Sequence, residues 1–329
     1  MSERFKAILI DKTEDHFSVD VKNISFNELP SADVLIKVAY SSVNYKDGLA
    51  SIPEGKIIRS YPFIPGIDLS GIVVSSEDPR FREGDKVIAT SYEIGVSHYG
   101  GFSEYARIPG DWIVPLPENL SLEEAMIYGT AGFTAALSVQ RLEDNGLSPE
   151  KGRVLVTGAT GGVGSIAVSI LAKRGYEVVA STGKATEHNF LHTLGAMEVI
   201  SREQVFNGNV KALDKQLWAG AVDPVGGESL ASVISKMHYS GSVAVSGLTG
   251  GGGVPTSVFP FILRGINLLG IDSVNCPMDV RTKLWNRMAT DFKPTVLHSI
   301  SKEVTLEDLP ETLAIILKGQ ARGRYIVKL

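Results

Sequence analysis

The chain alternates at period two early on and gathers its apolar residues into longer blocks later. Between residues 33 and 40, Val34, Ile36, Val38 and Tyr40 fall on one side of an extended segment. That spacing predicts a half-buried strand. Glu83-Gly84-Asp85 forms a turn before the apolar run 86–89, and Gly100-Gly101 precedes a strand-like run at 102–108. Short strands punctuated in this way across residues 1–122 predict a barrel-like all-β unit.

The pattern changes at Ser121, which makes a capping box with Glu124. A helix is predicted from there to about residue 142, stopped by Gly146 and Pro149. Strands and helices then alternate: strand 153–157, helix 162–174 ending at Gly175, strand 177–181, and helix 187–194 ending at Gly195. Further strands are predicted at 219–223, 242–246 and 268–271. Such alternation implies a parallel sheet with helices on both faces. A last helix at 306–318 leads to a strand at 323–329 that returns to the first unit. The expected domains are therefore 1–122 with 296–329, and 123–295.

Composition narrows the class without changing this picture. The 329 residues are 43% hydrophobic and 21% charged, which suits two globular domains. A net charge of −5 and a pI near 5.8 argue against nucleic acid and against a polybasic membrane face, and favour small-molecule partners. The single cysteine, Cys276, excludes an internal disulfide and any metal site built from several thiolates, and it reads as a buried thiol. No signal peptide and no apolar stretch long enough to span a membrane is read, so a cytoplasmic protein is expected.

The clearest local chemistry lies in Gly158-Ala-Thr160-Gly161-Gly162-Val163-Gly164, between a predicted strand and a predicted helix. Glycines there let the backbone approach a pyrophosphate, and the helix start offers free N–H groups. The spacing is a variant of the usual G-x-G-x-x-G. A turn that merely packs strand on helix is the competing reading. The next strand ends in Ser181-Thr182-Gly183-Lys184, where an NAD site would carry a carboxylate. Hydroxyls and a lysine suit a 2′-phosphate instead. NADPH is therefore the expected cofactor, with Ser181, Thr182 and Lys184 near that phosphate and Arg202 able to reach it.

With these motifs in place, the chain resembles the medium-chain dehydrogenase/reductase superfamily. The resemblance rests on the 158–164 loop together with Ser42-Val-Asn44-Tyr45-Lys46-Asp47, Pro65-Gly66-Ile67-Asp68, Gly84-Asp85-Lys-Val87 and Gly129-Thr-Ala-Gly-Phe-Thr134. Asn44-Tyr-Lys-Asp47, Ser76-Glu-Asp-Pro-Arg-Phe81 and Pro260-Phe-Ile-Leu-Arg264 make it similar to the YhdH/YhfP group of zinc-independent quinone oxidoreductases, which includes acrylyl-CoA reductases. The resemblance implies an α/β protein: a GroES-like β-barrel domain and a doubly wound Rossmann sheet, an active site between them, and a homodimer. It also implies that Asn44, Ile67 and Thr130 stand where zinc alcohol dehydrogenases hold the metal. Ile67 has no donor atom, so zinc chemistry is not expected. The substrate must then be electrophilic already: a quinone, an enone or an enoyl thioester such as acrylyl-CoA.

The resemblance suggests roles for further residues. Tyr45 and Asn44 would face the nicotinamide, Tyr45 as a hydrogen-bond or proton donor or else as a structural tyrosine. Asp68 could be catalytic or could anchor a loop, and Lys46 with Asp47 could form a local ion pair. Leu248, Ile262 and Ser273 would lie near the nicotinamide, with Phe261-Ile262-Leu263 and Ile271-Asp272-Ser273 taken as strand residues that could equally be core. Arg324 could reach into the cleft or lie on the surface. Independently of the resemblance, the small basic cluster of Lys56 and Arg59 after Pro53-Glu54-Gly55 could bind the phosphates of coenzyme A or be a solvated face, and His98, next to Tyr99-Gly100-Gly101, is the one histidine placed near the cleft. The competing class is an NADPH-binding structural or redox-sensing protein with little turnover.

Overall fold

A computed structural model describes residues 4–329. Seven strands come first: β1 Arg4–Lys12, β2 Phe17–Ser25, β3 Val34–Ser42, β4 Asp68–Ser76, β5 Lys86–Thr90, β6 Tyr105–Ile108 and β7 Ile113–Pro115. Six follow: β8 Val154–Val156, β9 Val178–Thr182, β10 Glu198–Ser201, β11 Trp218–Asp223, β12 Met237–Val245 and β13 Asn267–Gly270. Two close the chain, β14 Ser301–Val304 and β15 Arg324–Lys328.

Two compact units result. The first takes residues up to Thr130 with Val274–Ala289 and Ile300–Leu329; the second takes Ala131–Ser273 with Thr290–Ser299. The chain therefore joins the first unit for Val274–Ala289, returns to the second for Thr290–Ser299 and rejoins the first at Ile300, where a single crossing near residue 296 was expected. Helix Met278–Met288 belongs to the first unit, where the buried Arg281 donates to the carbonyl and hydroxyl oxygens of Thr90 at 3.3 and 3.0 Å.

In the first unit, β1 and β2 form an antiparallel hairpin, and the larger sheet runs β14-β15-β3-β4-β5-β7 with β6 also on β3. The closing strand β15 lies antiparallel to β3, with Ile326 opposite Ser42. The period-two face of β3 is buried at Val34, Ile36 and Val38 and packs on Leu69, Val73 and Val87. β6 starts at Tyr105, three residues later than the sequence pattern predicts. Gly100, Gly101 and Phe102 instead donate their N–H groups to Ile64, Gly66 and Pro65 at 2.7, 2.7 and 3.0 Å, outside any strand.

The second unit carries a six-stranded parallel sheet in the order β10-β9-β8-β11-β12-β13. β8 is buried along its whole length, as a strand covered on both faces must be. The order reverses between β8 and β11, and ligands of such sheets bind beyond the strand ends at that switch point. One expectation is corrected here. Residues 261–263 belong to helix Phe259–Arg264, not to a strand, and Ile262 and Leu263 are exposed. Pro260 suits a first helical turn, and Gly265 ends the helix at φ +60°.

Helix Leu122–Asp144 begins as predicted, with Ser121 and Glu124 exchanging capping hydrogen bonds at 2.9 and 3.0 Å. It is broken at Gly129, whose φ of +50° and ψ of −156° leave the helical region. Among the described residues, no helix is long and apolar enough to cross a membrane.

Candidate functional site

The second unit's site gathers at the carboxyl ends of its parallel strands. After β8, the chain turns at Gly158, with φ +54°, and enters helix Gly162–Lys173 at Gly161. A Cβ on Gly164 would lie 2.4 Å from the Gly158 carbonyl oxygen, so a side chain there would push the turn off the helix. The helix start thus keeps Gly161, Gly162 and Val163 close to whatever binds at its N–H groups. A dinucleotide pyrophosphate fits this cradle.

Asp223, at the end of β11, holds the neighbouring turn, and the sequence reading missed it. Its carboxylate accepts from the Thr157 hydroxyl at 2.7 Å and from the N–H groups of Val225 and Gly226 at 3.1 and 2.6 Å. Burial raises its pKa, and the backbone donors oppose that shift. The only available signal was an aspartate closing an apolar run before Pro-Val-Gly-Gly.

At the end of β9, Ser181 and Thr182 are buried, and Thr182 accepts the Lys184 N–H at 3.0 Å. Its hydroxyl also lies 3.4 Å from that of Thr160. Arg202 opens helix Arg202–Val205 after β10, and its guanidinium lies against Gly183, where a Cβ would sit 1.8 Å from Nη2. Lys184 and Arg202 therefore flank one glycine, with no carboxylate at the strand end. Burial lowers the Lys184 pKa while Glu187 opposes the change. Farther along the sheet, Leu248 is exposed on the glycine turn after β12, and the Ser273 hydroxyl, itself buried, accepts from Thr134 at 2.8 Å.

The first unit assembles a buried polar knot from strand register. β3, β4 and β15 bring Ser42, Asp68 and Arg324 together, while the Gly129 break brings in Thr130. Asp68 is fully buried. It accepts from Ser42 Oγ and Asn44 Nδ2, each at 2.6 Å, from the Thr130 N–H at 2.8 Å, and from the Thr130 hydroxyl. Arg324, 3% exposed, donates to the carbonyl oxygens of Ile127 and Val43 at 3.1 and 3.0 Å, to Asn44 Oδ1 at 3.2 Å and to Ser42 Oγ at 2.8 Å. Its guanidinium stands 3.8 Å from Asp68. The surface alternative for Arg324 is thus corrected: the side chain is buried and its donors are bonded within the first unit. Burial lowers its pKa, and the Asp68 and Asp47 carboxylates oppose that.

Helix Tyr45–Ala50 starts beside this knot. Asn44 caps it, and Asp47 accepts the Asn44 N–H at 2.8 Å and the Ile67 N–H at 3.0 Å. Asp47 is therefore a buried brace, and no ion pair with Lys46 forms. Burial, reinforced by Asp68, pushes its pKa up to about 7 against the pull of those backbone donors. Tyr45, the first residue of the helix, is 48% exposed. Of the three residues expected to do chemistry, Tyr45 alone presents its side chain outward, while Asn44 and Asp68 are bonded inside. His98 is likewise engaged internally, its Nε2 2.6 Å from the Arg107 carbonyl oxygen and its ring edge-on to Trp112.

The residues at the expected metal position do not fit zinc. Ile67 is an aliphatic side chain, 3% exposed, and the polar atoms of Asn44 and Thr130 are taken by Asp68 and its neighbours.

Residues 30–118 match the alcohol dehydrogenase GroES-like domain family, and residues 162–290 match the zinc-binding dehydrogenase family. The chain is 66% identical over its full length and that of YhfP from Bacillus subtilis, whose name carries a provisional quinone oxidoreductase assignment. The crystal structure of YhfP, with NAD bound, superposes at a TM-score of 0.98 with both chains fully covered. Acrylyl-CoA reductase AcuI from Ruegeria pomeroyi is 48% identical over 98% of each chain. The YhdH oxidoreductase from Salmonella enterica, solved with NADP, is 46% identical, with a TM-score of 0.96 over 98% of this chain and 99% of the other.

Proposed function

Because the chain belongs to the medium-chain dehydrogenase/reductase superfamily and to its YhdH/YhfP group, we propose that it is an NADPH-dependent oxidoreductase working without catalytic zinc. Its acceptor is a quinone or an activated α,β-unsaturated carbonyl, including an enoyl thioester such as acrylyl-CoA. One observation carries the reading: a saturated Asp68–Arg324–Asn44–Thr130 knot occupies the place of a zinc ligand set, beside an outward-facing Tyr45. With no Lewis acid to activate an alcohol, the acceptor must supply its own electrophilic carbon.

NADPH, when bound, supplies the hydride. The 158–164 turn and helix start hold the pyrophosphate, and Lys184 with Arg202 hold the 2′-phosphate. The relative solved with NADP supports this choice, while the NAD in YhfP makes the ratio of the two Michaelis constants the deciding quantity. Tyr45 donates a hydrogen bond to the acceptor oxygen, where negative charge grows during reduction. Asn44, Asp47, Asp68 and Arg324 are positioning residues that fix the start of the Tyr45 helix.

The reading extends to a homodimer in the cytoplasm. β13 pairs only with β12 among the described strands, and Leu268 on it, with Ile262 and Leu263 nearby in sequence, is exposed. A second copy would cover such an edge; a monomer by sedimentation removes this part.

The test is loss of NADPH absorbance with purified protein against a simple quinone and against acrylyl-CoA. Turnover of either supports the reductase. Tight NADPH binding with no turnover of any activated acceptor overturns it.

A further inference from the structure

The first unit holds a second concave feature away from the polar knot: a groove of about 710 Å³ lined by Lys12, Thr13, Glu14, Lys56, Arg59 and Tyr61, among others. That volume is in the range of small-ligand sites. Lys12, Lys56 and Arg59 line it against one acid, Glu14, and among the described residues none of the three cations has a carboxylate within ion-pair distance. This occurs in a chain where acidic residues outnumber basic ones, 37 to 32, so the positive groove runs against the overall balance.

Its walls are built rather than incidental. Gly55 turns so tightly that a Cβ would lie 1.7 Å from the Leu49 carbonyl oxygen, and its N–H donates to Ile52 at 3.2 Å. Lys56 follows with φ +53°, a left-handed conformation that a lysine holds at an energetic cost. Tyr61 is half-buried, with the Lys12 ammonium 5.9 Å from its ring centroid and Phe17 edge-on at 6.3 Å. The buried Ile58 adds an apolar patch to the lining. An aromatic face among cations suits a nucleotide carrying several phosphates.

The groove also lies close along the chain to Tyr45. Helix Tyr45–Ala50 leads directly into the 51–61 segment, and six helical residues span only ~9 Å. An extended pantetheine arm is longer than that.

We propose that this groove binds the 3′-phosphate and diphosphate of a coenzyme A thioester, with the acyl end at Tyr45. The assignment rests on the reductase reading above and narrows its acceptor to a thioester. Lys12, Lys56 and Arg59 bind the phosphates, and Tyr61 packs on the adenine.

The experiment compares wild type with a Lys12→Gln/Lys56→Gln/Arg59→Gln variant on three acceptors: acrylyl-CoA, the acrylyl thioester of N-acetylcysteamine, which lacks the nucleotide, and a quinone. The expected result is at least a tenfold rise in KM for acrylyl-CoA, with kcat, the NADPH KM and the truncated thioester unchanged. Calorimetry with adenosine 3′,5′-bisphosphate on NADPH-saturated protein gives a second readout, expected to show binding to wild type and loss of it in the variant. Equal KM values for acrylyl-CoA in the two proteins, or bisphosphate binding that survives charge removal, overturn the groove and leave the reductase standing. Turnover of the quinone alone overturns the thioester assignment together with the groove. No turnover of any acceptor overturns the reductase reading itself.

Discussion

Asn44 Nδ2 donates to Asp68 Oδ2 at 2.6 Å, tying the cap of the Tyr45 helix to a carboxylate that is itself fully buried. A buried carboxylate with an arginine and several donors around it is costly to lose from one side, because the remaining charge stays buried. Asp68→Asn should therefore destabilise the protein by about 3–5 kcal/mol in urea unfolding. A change near zero would show that the knot does not depend on the charge.

Tyr45 bears the proposed contact with the acceptor oxygen. Tyr45→Phe should lower kcat by roughly 100-fold, the scale of one lost oxyanion donor, while NADPH affinity holds. Steady-state rates and fluorescence titration of NADPH separate the two effects. An unchanged kcat removes Tyr45 from the chemistry.

Lys184 and Arg202 flank Gly183 at the end of β9. Lys184→Asp should raise the KM for NADPH by ~10-fold or more and leave that for NADH within about twofold, since only NADPH carries the 2′-phosphate. Equal rises for both cofactors would locate the effect elsewhere.

Asp47 supplies a pH signature. Its folded pKa, about 7, lies above the ordinary 3.8, so between those values the folded state holds a proton that the unfolded state has lost. Stability from this group is complete below pH 3.8 and is lost as pH rises through 7. Wild type should thus weaken from pH 4 to 7 by up to ~1.4 kcal/mol per pH unit relative to Asp47→Asn. Parallel stability curves for the two proteins would contradict the raised pKa.

Much of the second unit was legible from local pattern. β8 is a short apolar run, and the 158–164 turn needs glycine at Gly158 and Gly164 for reasons confined to a few residues. The missing carboxylate at the end of β9 could be read directly. Asp223 was not, because its partners Thr157 and Gly226 come from two different strand ends. The helix Phe259–Arg264 looks like a strand in the sequence because six residues, mostly apolar, carry no usable period.

The sequence by itself determined the alternation of β and α segments, the glycine turn, the lack of an acid at Gly183 and the return of the last strand to the first unit. These follow from spacing along one stretch of chain, where backbone sterics and hydrophobic period act locally. Only the tertiary structure decided that Arg324 turns inward and that Gly129 breaks its helix. A Cβ at Gly129 would lie 2.3 Å from Ser42 Oγ, 2.5 Å from Asp68 Oδ2 and 2.7 Å from Arg324 Nη2. Those atoms arrive from three strands far apart in sequence, and whether a charge is buried or solvated depends on what packs around it.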